Sequence, residues 1–197
     1  MQAQMNLPNT ATQSGQSWKP PSSSMYKLNF NTEVFEGIQC LGFGAIIQNF
    51  AGEVMAAISV KGPSVSCNEE AEALACRKAF EFAMELGFTE MVIEGDNATV
   101  MKAVASSSGD LSLLGHVYED IKCNICGLHY ASISCVRREG NKVAHILAQY
   151  ARNIADELYW IKDSTPLVIE ALYQDCLNMN EWIFDLPSKK KKKNIFS

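Results

Sequence analysis

The sequence predicts a mixed α/β domain, a five-stranded sheet covered by helices. Three observations lead there. Residues 26–60 hold three runs with strand-like alternation, the last two joined by a turn signal. Residues 66–87 form an amphipathic helix with stop and start signals at its ends. Short apolar runs then alternate with helical segments, so the later strands return through helices and the sheet is mixed.

The first strand is "MYKLNFN", residues 25–31. Tyr26, Leu28 and Phe30 fall on one face, Lys27, Asn29 and Asn31 on the other. Asparagine has low strand propensity, and a buried one needs hydrogen-bond partners, so two on one face ask for a reason. "GFGAIIQNF" and "GEVMAAISV" are the second and third strands, with residues 49–52 as the hairpin turn. Gly42 and Gly44 are bulges or points of close approach.

The helix "SCNEEAEALACRKAFEFAMELG" starts at a Ser66/Glu69 capping box and stops at Gly87. Its core stripe is Ala71, Leu74, Ala75, Phe82 and Leu86. "MVIEGD" is a short buried strand, after which Asn97 caps a helix over 98–105. A "SSSGD" loop leads to a helix over 113–127, and "YASISCVRR" alternates as the fifth strand. Residues 139–160 read as a final helix or helix pair. The organisation is a disordered lead (1–24), one domain (25–152), a C-terminal helical extension (153–187) and a basic tail (188–197).

Composition is that of a globular protein, 47% hydrophobic and 20% charged. Net charge is −5, so no global basic field marks a nucleic-acid partner, though a local patch can serve. No apolar run reaches the ~18 residues of a membrane span. The start lacks the basic and apolar regions of a secretory signal, which places the protein in the cytoplasm or nucleus, and no feature calls for an oligomer. The seven cysteines are odd in number and irregular in spacing, which suits reduced core thiols. Cys123 and Cys126 invite a zinc or redox reading, but no second pair accompanies them, and with Ile121 and Ile125 the run suits packing.

Glu72, Asp96 and Asn31 sit where strand ends and a helix start can converge. Clustered oxygen ligands bind hard divalent cations. Two such cations about 4 Å apart catalyse phosphodiester hydrolysis. The bland alternatives are an ordinary helix carboxylate at Glu72 and an N-cap pair at Asp96-Asn97.

The pieces "WKPP…YKLNFN", "GFGAIIQNFAGEVMAA", "AEALACRKAFEFAMELGF", "VIEGDN" and "VRREGNKVAHILA" together span about residues 18–152. On these the sequence resembles the ribonuclease H family, in particular plant ribonuclease H-like domains related to retroelements. The resemblance implies a ribonuclease H-like fold, sheet order 3-2-1-4-5 with helices on both faces. It implies hydrolysis of the RNA strand of RNA–DNA hybrids, by an endonuclease whose four acidic ligands hold two Mg²⁺ ions. Carried over by motif, those ligands fall on Asn31, Glu72, Asp96 and His145. Glu72 and Asp96 match, leaving a metal site of these two carboxylates. Asn31-Thr32 stands where the family pattern has Asp-Gly, and His145 replaces the last acid.

An amide keeps a carboxylate's shape but lacks the charge and second anionic oxygen needed to bridge two cations. Imidazole suits zinc or manganese better than magnesium. Binding of Mg²⁺ or Mn²⁺ is therefore expected to be weak and turnover small. Glu33, two residues on and on the same face, is a further candidate to reach in. The resemblance makes a hybrid duplex the expected partner, told from DNA by its 2′-hydroxyls. Asn68, Asn97, Arg137, Arg138 and Lys142 are the candidate contacts, and five lysines at 189–193 add a run that binds phosphate, serves as a nuclear address or is simply solvated. The alternative to an impaired enzyme is an inactive module that binds nucleic acid or protein, or a retroelement-derived fragment.

Overall fold

The computed structural model of the chain describes residues 4–6, 17–106, 112–163 and 165–185. Its strands are β1 (Gln4–Asn6), β2 (Tyr26–Phe35), β3 (Cys40–Gln48), β4 (Val54–Pro63), β5 (Glu90–Gly95), β6 (Tyr130–Cys135) and β7 (Glu157–Ile161). Its α-helices are α1 (Asn68–Glu85), α2 (Ala98–Ala105), α3 (Gly115–Cys126), α4 (Lys142–Tyr150) and α5 (Ile169–Asp185).

The strands form one sheet in the order β1-β6-β5-β2-β3-β4-β7. Its inner five are the expected strands in the expected 3-2-1-4-5 order. β2 pairs antiparallel with β3 and parallel with β5, which places the first strand at the centre. Helices α1, α2 and α3 cover one face, where Leu28, Phe30, Ile93, Phe80, Val100 and Ile121 share a core. On the other face Ile46 and Ala57 pack against Val143 and Leu147 of α4 and Ala171 of α5. The turn at 49–52 is present, closed by the Gly52 N–H donating to Asn49 O at 3.0 Å.

The sheet is wider than expected, and both extra strands correct the reading of the termini. Residues 157–161 are not helical; they pair antiparallel with β4. Leu-Tyr-Trp-Ile has high strand propensity, and β4 would otherwise be an open edge. The helical extension is therefore confined to α5. The lead is also partly structured. Residues 4–6 pair with β6, and Trp18 is 3% exposed, so the domain begins well before residue 25. The rest of residues 1–16, most of the "SSSGD" loop and the basic tail lie outside the described residues.

Two local readings shift. The capping box of α1 is displaced by one residue: Cys67 is the N-cap, its Sγ accepting from Glu70 N–H, while the Ser66 N–H donates to the Glu70 carboxylate. Glu69 instead accepts from the Tyr118 hydroxyl, at 2.9 Å. The buried stripe of α1 is mostly alanine with Cys76, Phe80 and Phe82, while Leu86 lies outside the core. Gly87 ends the helix as expected, at φ +79°, with its N–H on Met84 O and that of Phe88 on Ala83 O. Only Cys40 and Cys76 are core thiols; the other five cysteines, Cys123 and Cys126 included, are exposed.

Candidate functional site

Three elements converge at the C-terminal end of β5. Asn31 lies on β2, and in the β2–β3 register it stands opposite Gly44. A Cβ on Gly44 would collide with the backbone of Ala144, Leu147 and Ala148. The absence of a side chain there is what lets α4 lie close on the sheet and bring His145 beside the strand. This resolves the alternatives for Gly42 and Gly44: both are points of close approach, each meeting the Ala148 backbone. Asp96 follows the end of β5, and Glu72 sits in the first turns of α1.

Asn31 and Asp96 are brought together: Asn31 Nδ2 donates to Asp96 Oδ2 at 2.9 Å. An amide facing a carboxylate must present its NH₂ end, so the orientation follows from the chemistry. Glu72 is also engaged by β2, its Oε1 accepting from the Thr32 hydroxyl at 2.8 Å. Its Oε2 is buried without a hydrogen-bond partner. Burial, and then the charge of Asp96, push the Glu72 carboxyl up to about 7, against the lowering effect of Thr32.

The fourth position has its own partners. Arg138 Nη2 lies 2.7 Å from His145 Nε2. The same Nη2 lies 3.4 Å from Nδ1, so the guanidinium is set against both ring nitrogens. Nδ1 in turn faces Glu33 Oε2 at 3.7 Å. Burial and the neighbouring Arg138 cation lower the His145 pKa, opposed by Glu33 and Asp96. Glu33 thus reaches His145, not Glu72 or Asp96.

The candidate nucleic-acid contacts are more scattered. Asn68 is exposed at the first position of α1. Asn97 spends its carbonyl oxygen capping α2, accepting from Thr99 and Val100 N–H. Arg137, Arg138 and Lys142 are all exposed around the turn between β6 and α4. Sequence reasoning missed the Arg138–His145 contact and the Thr32–Glu72 bond. Spacing carries no signal for either, because both pairings cross between elements.

The model of the reverse transcriptase-like family matches residues 29–151, well over half of the chain. The chain belongs to this family, within the ribonuclease H-like superfamily. Solved structures with the same fold are ribonucleases H. RNase H1 from the halophilic archaeon Halobacterium salinarum aligns with TM-score 0.59 at 21% identity, over 66% of this chain and 99% of that one. The N-terminal RNase H domain of rv2228c from Mycobacterium tuberculosis gives 0.56 at 20% identity, over 66% and 94%. LC11-RNase H1, isolated from compost, gives 0.52 at 17%, over the same shares. No curated protein is similar enough in sequence to match.

Ribonucleases H generally work with divalent metal ions held by carboxylates. The donor set of this ribonuclease H-like chain does not fit such a pair. Of the four carried-over positions only Glu72 and Asp96 are carboxyl groups, and each already accepts a hydrogen bond from β2. At Asn31 the group facing Asp96 is a donor, not a lone pair. Among the described residues, no three His, Cys, Asp or Glu side chains are grouped to hold a metal ion. Also among them, no helix is long and apolar enough to cross a membrane.

Proposed function

We propose that this ribonuclease H-like domain binds nucleic acid, RNA–DNA hybrid duplex first, and cleaves the RNA strand at most feebly. The observation that carries the reading is the Asn31–Asp96 hydrogen bond, 2.9 Å long. It replaces a carboxylate–metal contact with a contact the protein makes to itself. Mg²⁺ or Mn²⁺ then binds weakly, since the remaining carboxylates supply too little charge and too few free oxygens. The exposed Arg137, Arg138 and Lys142 flank the site and supply phosphate-directed charge. The chain acts alone as a monomer, in the cytoplasm or nucleus.

The test uses the full chain and an end-labelled hybrid duplex, with RNA and DNA duplexes for comparison. Binding should be salt-dependent and strongest for the hybrid, and unchanged by Asp96→Ala. Incubation in Mg²⁺ or Mn²⁺ should leave the RNA strand intact or nearly so. Efficient cleavage lost on Asp96→Ala would overturn the impaired-site reading. Absence of binding at low salt would overturn the nucleic-acid reading.

A further inference from the structure

The face of β2 that carries Asn31 also carries Lys27 and Asn29, and all three are buried. The backbone pairing of β2 with β5 ends at Asn29 opposite Glu94, so Asn31 and Asp96 lie two residues beyond the last paired residues. Nothing in the ladder itself sets their distance. The side chains on the last rungs do. Asn29 Nδ2 donates to Glu94 Oε2 at 3.2 Å, and Lys27 Nζ donates to Glu94 Oε1 at 2.8 Å. The Ser134 hydroxyl, from β6, donates to the same Oε1 at 3.2 Å. Trp18 closes the cluster from the lead: its Nε1–H donates to Asn29 Oδ1 at 3.1 Å, and its ring lies under the Lys27 ammonium at 5.5 Å.

Each member restricts the next. Trp18 accepts only one orientation of the Asn29 amide, the one that turns Nδ2 toward Glu94. The Glu94 carboxylate has both oxygens engaged by three donors. Although only one residue separates it from Asp96, it is thereby withdrawn from the candidate site.

Stability alone does not account for these residues. Buried ion pairs are often no more stabilising than apolar side chains of similar volume. What apolar residues do not provide is a single register. A two-residue slip of β2 along β5 would keep every side chain on its face and still pair apolar with apolar. It would also bring Asn29 or Glu33, not Asn31, to Asp96. Only one alignment satisfies Lys27, Asn29, Glu94 and Ser134 together.

We infer that Trp18, Lys27, Asn29, Glu94 and Ser134 form a positioning clamp that fixes β2 against β5 and so sets Asn31 on Asp96. They act through those two residues and touch no ligand. The inference concerns the site of the proposed function, but it requires neither nucleic acid nor metal, so the two stand or fall separately.

The experiment is ¹H–¹⁵N NMR of the full chain, following the side-chain amide of Asn31, assigned by its loss in Asn31→Asp. Trp18→Phe removes one donor and keeps a ring; Lys27→Met removes the ammonium. In either folded variant the Asn31 Nδ2 resonances should move toward those of a solvent-exposed amide, while backbone amides of α1 and β4 stay in place. Ile58→Val, in the core on the opposite face, should lower stability without moving them. Should Lys27→Met fail to fold, Trp18→Phe carries the test. Asn31 resonances unmoved in a folded Trp18→Phe or Lys27→Met protein would reduce the cluster to ordinary core polarity and overturn the clamp.

Discussion

Asn31→Asp tests the reading of the site most directly. The substitution is nearly isosteric, so packing against Gly44 and α4 is conserved. What changes is charge. The Asn31 amide stands 2.9 Å from Asp96 Oδ2 and is 3% exposed. Two carboxylates held about 4 Å apart at an effective dielectric near 20 repel by about 4 kcal/mol. That corresponds to about 3 pKa units, so without metal the pair holds one proton near neutral pH or the fold loses about that much stability. Glu72, already pushed up to about 7 with help from Asp96, adds to the strain. A divalent cation removes it. At a concentration 100-fold above its Kd it contributes about 2.7 kcal/mol. For a chain of this size that raises Tm by roughly 5–10 °C. The assay is thermal denaturation of wild type and variant, titrated with Mg²⁺ and Mn²⁺, beside cleavage of a labelled hybrid. The variant should show the larger metal-linked rise and cleavage above background, and Asn31→Asp with His145→Asp should be at least as active in Mg²⁺. If Asn31→Asp gains neither stability from metal nor any cleavage, Glu72 and Asp96 are only structural and the degenerate-site reasoning fails.

Other perturbations address the remaining contacts. Glu72 has a folded-state pKa of about 7 against an ordinary 4.5, so between those values the folded protein holds a proton that the unfolded chain releases. Metal-free stability should therefore fall as pH climbs from 4.5 to 7 and level off above, by at most about 3 kcal/mol from this group. Glu72→Gln should remove that share of the slope in denaturant melts taken across this range; an unchanged slope would contradict it. Arg138→Ala should raise the His145 pKa toward its ordinary value, though burial still holds it down. An NMR titration of the imidazole that shows no rise would mean that Arg138 does not sit on the ring. Gly44→Ala should cost about 1–3 kcal/mol through overpacking against α4. A melting temperature equal to wild type would refute the close approach of α4 to β3.

The order of elements along the domain is a local property, and the sequence by itself determined it. Alternation over 26–60, the Gly87 stop and the Asn97 cap depend on neighbours a few residues away, and each element appears where those signals put it. The motif match pointed to Asn31, Glu72, Asp96 and His145 as candidates, and of these the fold brings Asn31 to Asp96. Local periodicity failed where tertiary demand outweighed it. The segment 157–161 looks helical beside α4, but pairing with β4 satisfies an exposed edge and makes it a strand. The capping box lies one residue on, with Glu70 in it, while Glu69 accepts from Tyr118 across the domain. Trp18 sat in a polar, proline-rich lead that reads as disordered, and only the folded sheet shows the Asn29 oxygen it binds. Two asparagines on one strand face looked anomalous for the same reason. Their partners, Glu94 and Asp96, lie more than sixty residues away in sequence, and strand pairing, not spacing, decides that they meet.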